Sequence, residues 1–230
     1  MFNITRYLAQ SIGNPRRADS LTSRLRRKRL SHFNEMLNDF YDKYGCVNII
    51  DIGGTRQYWN ILPERWLVEK KITITIVNLP GSTFPESEDH FQYVAGDGCS
   101  LDFCQDREFH IAHSNAVIEH VGDWERMKQF AREVSRVAER YFVQTPNFWF
   151  PIEPHCMIPF FHWLPEPLRV LLIMHFNLGN WSRQESVSAA VAQVNSAHLL
   201  DKRMFTELFD GAKLVKERFL LLTKSFIAVR

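Results

Sequence analysis

Five short apolar runs alternate with helical periodicity through the middle of the chain, and that alternation limits the fold more than any other feature. CVNIIDI (46–52), ITITIVNL (72–79), QYVAGD (92–97), FHIAHSN (109–115) and YFVQTP (141–146) read as strands. Between Asp123 and Ala138, Trp124, Met127, Ala131 and Val134 trace one helical face, and Asp123 suits the N-cap. Upstream, Leu30, Phe33, Leu37, Phe40 and Tyr44 give an amphipathic helix over 24–44, with Gly45 placed for a left-handed cap. Strand-helix alternation with short connections predicts an α/β fold: a mostly parallel sheet covered on both faces. A helix capped by Asp201 and ended by Gly211 precedes two last strands, 212–219 and 220–230, which suit a hairpin.

Residues 147–200 break the alternation. NFWFPIEPHCMIPFFHWLPEPLR holds six Phe and Trp between 148 and 163 and five prolines from Pro151 to Pro167. Proline removes donors and blocks the preceding turn, so no single helix can run through it. Helix resumes near Glu166 and around 184–196. The stretch is expected to be a cap inserted above the carboxyl edge of the sheet, where open α/β sheets bind ligands. Phe148, Trp149, Phe160 and Trp163 would be either core beneath that cap or the lining of an acceptor pocket. The expected organisation is thus a basic arm and helix over 1–45, then one domain over 46–230 with the 147–200 insertion.

Charge and cysteine usage narrow the partners. Residues 1–30 carry eight Lys and Arg against Asp19 alone, a charge of +7 in a chain whose total is +2. Such an arm suits an anionic membrane surface or an acidic partner, the plain alternative being a solvated helix start. Without interleaved aromatics, nucleic acid is not an expected partner. The four cysteines form no CxxC pair and the start lacks a secretion signal, so a cytoplasmic chain with reduced thiols is expected.

Three strand ends carry polar residues suited to one ligand. Asp51-Ile52-Gly53-Gly54-Thr55 is a tight turn with a carboxylate that could hold an ammonium, directly or through water, while the next helix would offer free N–H groups. It lacks the GxGxxG that a pyrophosphate normally requires, which also weighs against a nicotinamide-dependent reductase. Asn78 ends the second strand, where a ribose would lie, and Asp97 ends the third, placed to accept from an adenine amino group. Taken singly, each is equally well a capping or turn residue. Together they outline a nucleoside site.

IIDIGGT, TIVNL, YVAGDG and above all HSNAVIEHVGDW resemble the class I S-adenosylmethionine-dependent methyltransferases, most closely the type 11 branch and a bacterial subgroup of it. The likeness runs over about 46–229. It implies a Rossmann-like seven-stranded sheet with the last strand antiparallel, and S-adenosyl-L-methionine as cofactor. It places Asp51, Gly53, Gly54 and Thr55 beside the methionine portion, Asn78 and Leu79 at the ribose, Asp97 and Gly98 at the adenine. The Ser114-Asn115-Ala116 backbone returns to the methionine end. Thr55 and Gln57 stand where the pattern has its later glycines, Asn78 where it has an acid, and His110 where the fourth strand usually begins with Asp.

The activity implied is methyl transfer to an oxygen, less readily a nitrogen, of a small or lipid-linked acceptor. His120, just past the fourth strand, is the candidate base, though an imidazole capping the next helix would look the same in sequence. His155, within PIEPHC, is a second catalytic candidate, with packing or acceptor binding as its alternative; His113 reads as structural. Some relatives hold a divalent ion through ExxEH, but Ala116 occupies the first position of that pattern, so no metal is assigned. Glu119, His120, Glu153 and His155 could still converge on one. A catalytically degenerate scaffold is the rival reading. Under the enzyme reading, Asp51→Ala is expected to abolish cofactor binding and leave the fold intact.

Overall fold

The computed structural model describes residues 21–230, with side chains from residue 31 onward. Most of the basic arm, and the side chains of Arg24, Arg26, Arg27, Lys28 and Arg29, therefore lie outside the described residues. Helix α1 (Leu21–Tyr44) ends at Gly45, whose φ of +72° is the left-handed conformation that glycine adopts without strain. Strands β1 (Val47–Ile52), β2 (Ile72–Asn78), β3 (Phe91–Ala95), β4 (Phe109–Asn115) and β5 (Ala138–Pro146) are mutually parallel where they pair, with helix α2 (Glu64–Glu69) ahead of β2 and α3 (Trp124–Val137) ahead of β5. Strands β6 (Lys213–Phe219) and β7 (Leu222–Val229) form the final hairpin, and β7 is antiparallel to both neighbours. The sheet order is β3-β2-β1-β4-β5-β7-β6. Among the described residues no helix is long and apolar enough to cross a membrane.

The central strands are largely apolar because both of their faces are covered. In β1, Ile50 and Ile52 point to a core shared with Met127, Phe130 and Val134 of α3. Val47 and Ile49 point the other way, to Phe33, Met36, Leu37 and Phe40 of α1. Each such side chain contributes roughly 1.5–3 kcal/mol through burial. His110, the second residue of β4, is a clasp on this second face. Its ring stacks 4.7 Å from Tyr44 and 5.2 Å from Phe40, and Nδ1 accepts from the Asn48 N–H at 3.0 Å.

The residues after the glycine turn depart from expectation. Instead of a helix offering free N–H groups, a 3₁₀ segment (Arg56–Ile61) follows, capped by Thr55, and then only the short α2. Trp59 is the reason: its indole is buried beneath the turn, and Pro63 stops the chain from continuing.

Residues 147–200 leave the sheet and return to it at one point, where Phe148 N–H donates to Leu200 O. Helices α4 (Glu166–His175) and α5 (Val187–Val194) lie within it, and Cys156, Phe161, Ile173, Ala190 and Val194 form its own small core. Helix α6 (Lys202–Leu208), capped by Asp201, leads into β6.

Candidate functional site

Asp51 does not face the surface. Its carboxylate is fully buried; Oδ2 accepts from Trp59 Nε1 at 2.6 Å and Oδ1 lies 2.7 Å from His113 Nδ1. His113 Nε2 in turn meets the Tyr58 hydroxyl at 3.2 Å. Both carboxylate oxygens are thus taken up within the protein, and the acid holds the turn from below. The glycines answer to the same packing. Gly53 has φ +75°, and a Cβ there would lie 2.6 Å from Val117 Cγ2; at Gly54 it would lie 1.6 Å from Asp51 Oδ2. Gly98 is likewise pressed on Ile52.

The strand ends nonetheless form one continuous crescent. Asn78 Nδ2 donates to Gly54 O at 2.9 Å, which ties the end of β2 to the turn and leaves the amide oxygen as its remaining acceptor. Leu79, next along, is exposed at the sheet edge. Ser114 Oγ donates to Ile52 O at 3.0 Å, and Ala116 turns away from β4 at φ +56°. Asp97 accepts from Cys99 N–H and pairs with Arg126 of α3. Burial pushes its carboxyl upward, but Arg126 and the Cys99 N–H outweigh that and hold it below the usual range. Arg126 carries no motif in the sequence, and only the tertiary fold brings it here.

Past β4 the chain makes one 3₁₀ turn (Ile118–His120), which sends Glu119 inward and leaves His120 with access to solvent. His120 and His155, 35 residues apart in the chain, face each other with their Nε2 atoms 2.9 Å apart. His120 Nδ1 lies 2.6 Å from the Ser196 carbonyl, which can only accept, so that nitrogen carries a proton. His155 Nδ1 is held by the Glu153 carboxylate, as are the N–H groups of residues 155 and 156. With both Nδ1 atoms committed as donors, two neutral rings point their Nε2 lone pairs at one another, an arrangement that one shared proton or a cation relieves.

The electrostatics fit a shared proton. Burial lowers the His120 pKa; burial also opposes His155, but the Glu153 carboxylate prevails and raises it. Glu119 is fully buried, and burial pushes its pKa up to about 7. Thr145 Oγ1 donates to its Oε2 at 3.0 Å, while Oε1 has no partner. One ligand atom each from Glu119, His120 and His155 lie within 4.8 Å of one another, a set that could hold a metal ion. Glu153 stands behind His155 and is not among them.

A cavity of about 230 Å³ opens beside the pair. Glu153 and Ser196 belong both to its wall and to the histidine chain, and Phe148, Phe161, Trp181 and Arg169 line the rest. Arg169 Nε is buried without a partner. Of the four aromatics expected as core or lining, Phe148 lines this cavity, while Trp149, Phe160 and Trp163 lie on the outside.

No protein-family model and no curated protein matches the chain. Among solved structures, a SAM-dependent methyltransferase from Archaeoglobus fulgidus is 13% identical at a TM-score of 0.51, over 90% of this chain and 94% of that one. A Rhodobacter sphaeroides protein provisionally named as a Zn-dependent alcohol dehydrogenase is 9% identical at 0.50, over 80% and 83%. An O-methyltransferase, also provisionally named, from Nostoc punctiforme is 9% identical at 0.45; the match covers 86% of this chain but 56% of that longer one. At these identities the likeness is one of fold. The seven-stranded sheet with its antiparallel terminal hairpin is the Rossmann-like fold of the class I methyltransferases.

Proposed function

We propose that this chain is a methyltransferase of the type 11-like bacterial branch, working in the cytoplasm. It would use S-adenosyl-L-methionine to methylate an oxygen, less readily a nitrogen, of a small or lipid-linked acceptor. The observation that carries the reading is the His120–His155 pair, set just past the end of β4, whose partners Glu153 and Ser196 line a walled cavity. Residues 147–200 serve as the substrate cap of a catalytic domain over 46–230, and the basic arm and α1 precede it.

The crescent fits a nucleoside without phosphates. The exposed Leu79 offers an apolar surface to a purine or ribose, and Asn78 keeps an acceptor oxygen. Asp97 retains acceptor capacity beyond its two bonds. Gly53, Gly54 and Thr55, with Ser114, Asn115 and Ala116, bring backbone to the methionine end, and Asp51 supports them from beneath. The cofactor supplies an electrophilic methyl on its sulfonium. As a hydroxyl acceptor took up that methyl, its proton would pass to the histidine pair. The empty pair is a strong acceptor because one proton relieves two facing lone pairs, while the cap aligns the acceptor.

Calorimetry with adenosylhomocysteine tests the reading. Binding is expected, and its absence would favour a scaffold that has kept the fold and lost turnover. A second reading rests on the unpartnered Glu119 Oε1, with a divalent ion replacing the shared proton between the rings. Thermal shifts with zinc or magnesium, present in the wild type and absent in Glu119→Gln, would select it.

A further inference from the structure

The β6–β7 hairpin ends in a two-residue turn, Leu220-Leu221, between the paired Phe219 and Leu222. Tight hairpin turns call for Gly, Asn or Asp, because one or both turn residues take positive φ. Here Leu220 adopts φ +53°, and leucine in that region costs on the order of 1 kcal/mol. Nor do these side chains reach any core. Leu220 is 82% exposed and Leu221 95%, with Leu222 half exposed beside them. Three consecutive leucines at a strained, protruding apex serve neither turn formation nor packing.

The tip does not stand alone. Asn147 clamps the start of β7, its N–H donating to Lys224 O at 3.0 Å and its Nδ2 to Thr223 O at 2.8 Å. The Phe150 ring lies 6.3 Å from Phe219 at the base of the tip. Trp149, the residue before Phe150, is 60% exposed. Trp149 is 6.1 Å from Trp163, which is 5.0 Å from the exposed Phe160. A row of exposed aromatics thus runs on from the segment that clamps the hairpin. On the strands just behind the apex stand Lys216 and Arg218, both exposed, and Lys224; the acid among them, Glu217, is turned inward and bonded to Ser225.

We propose that this face docks on an anionic lipid surface, the leucine tip entering the acyl boundary and Trp149 and Trp163 lying at headgroup depth. A narrow apex of leucines can bury itself in fluid hydrocarbon without a complementary pocket, whereas a protein partner would have to supply one. Tryptophans at the boundary and cations behind it match the layering of a bilayer surface with negative headgroups. The inference stands whichever reaction the chain performs; a surface-docked cap would also bring the cavity close to lipid-linked molecules.

The test is flotation of the full-length protein with vesicles of phosphatidylcholine containing about one third phosphatidylglycerol. Wild type is expected to float with these vesicles, with a blue shift in tryptophan emission. Leu221→Asp lies at a site where nothing packs, and it should weaken partitioning on the order of a hundredfold without changing the melting temperature. Leu220→Gly should weaken it less and leave the fold as stable or more so. The proposal fails if wild type does not bind, or if Leu221→Asp binds equally well. It fails too if binding is lost in high salt alone with the leucines irrelevant, which would assign it to the basic arm. If instead Leu221→Asp converts an oligomer into a monomer while vesicles bind neither protein, the tip is a contact between copies.

Discussion

Asp51 and Glu119 are both fully buried carboxylates just below the carboxyl edge of the sheet, one at the end of β1 and the other just past β4. Asp51 spends both oxygens on His113 and Trp59. Glu119 spends one on Thr145 and leaves the other unpartnered, with the facing histidines nearby. The difference teaches that the residue most suggestive of a ligand contact in sequence can be the most internally satisfied. The atoms left for a proton, an ion or an acceptor lie where the chain is hardest to read. Saturated polar networks make rigid supports, and an orphaned buried oxygen marks where something further must bind or where a proton resides.

The contrast can be broken most forcefully at Asp51. Asp51→Ala leaves the His113 ring and the Trp59 N–H buried without their shared partner, and it should cost about 3–5 kcal/mol of stability in urea unfolding. Loss of cofactor binding with undiminished stability would return Asp51 to the ligand. His120→Ala should leave stability nearly unchanged and reduce methyl transfer by on the order of a thousandfold. Because the His155 pKa is raised and a base must be empty to act, wild-type turnover should climb as pH rises above 6.5. A flat profile would remove the pair from proton transfer.

Glu119→Gln sharpens the comparison with the smallest effect. The carboxyl pKa is raised from 4.5 to about 7 in the folded protein, so the stability it confers is present below pH 4.5 and lost as pH climbs through 7. Gln cannot ionise. Between pH 5 and 8 the variant should therefore gain on wild type by up to about 3 kcal/mol, read from unfolding at several pH values. A constant difference would mean that Glu119 is already charged or holds a cation.

Much of the fold was legible because each strand and helix declares itself locally. FHIAHSN is β4 to the residue, Asp123 and Asp201 cap the helices expected of them, and the two last runs form the hairpin. The miss after Gly54 has a long-range cause: Trp59 is drawn under the turn by Asp51, and no periodicity within RQYWNIL announces that bond. That Asp51, Asn78, Asp97 and Ser114 lie at neighbouring strand ends was legible because a parallel sheet brings those ends together. Which way each side chain points, and whether it is already occupied, was not.

By itself the sequence determined the order of elements, the two-faced burial of the central strands and the position of the glycine turn, because these follow from side-chain periodicity and from the backbone preferences of glycine and proline. Only the tertiary structure decided that His120 meets His155 across 35 residues, that Arg126 answers Asp97, and that Glu119 rather than Asp51 keeps an open oxygen. Those outcomes depend on distances between segments remote in the chain, and the competition of buried polar atoms for a few partners is settled only once the segments are packed together.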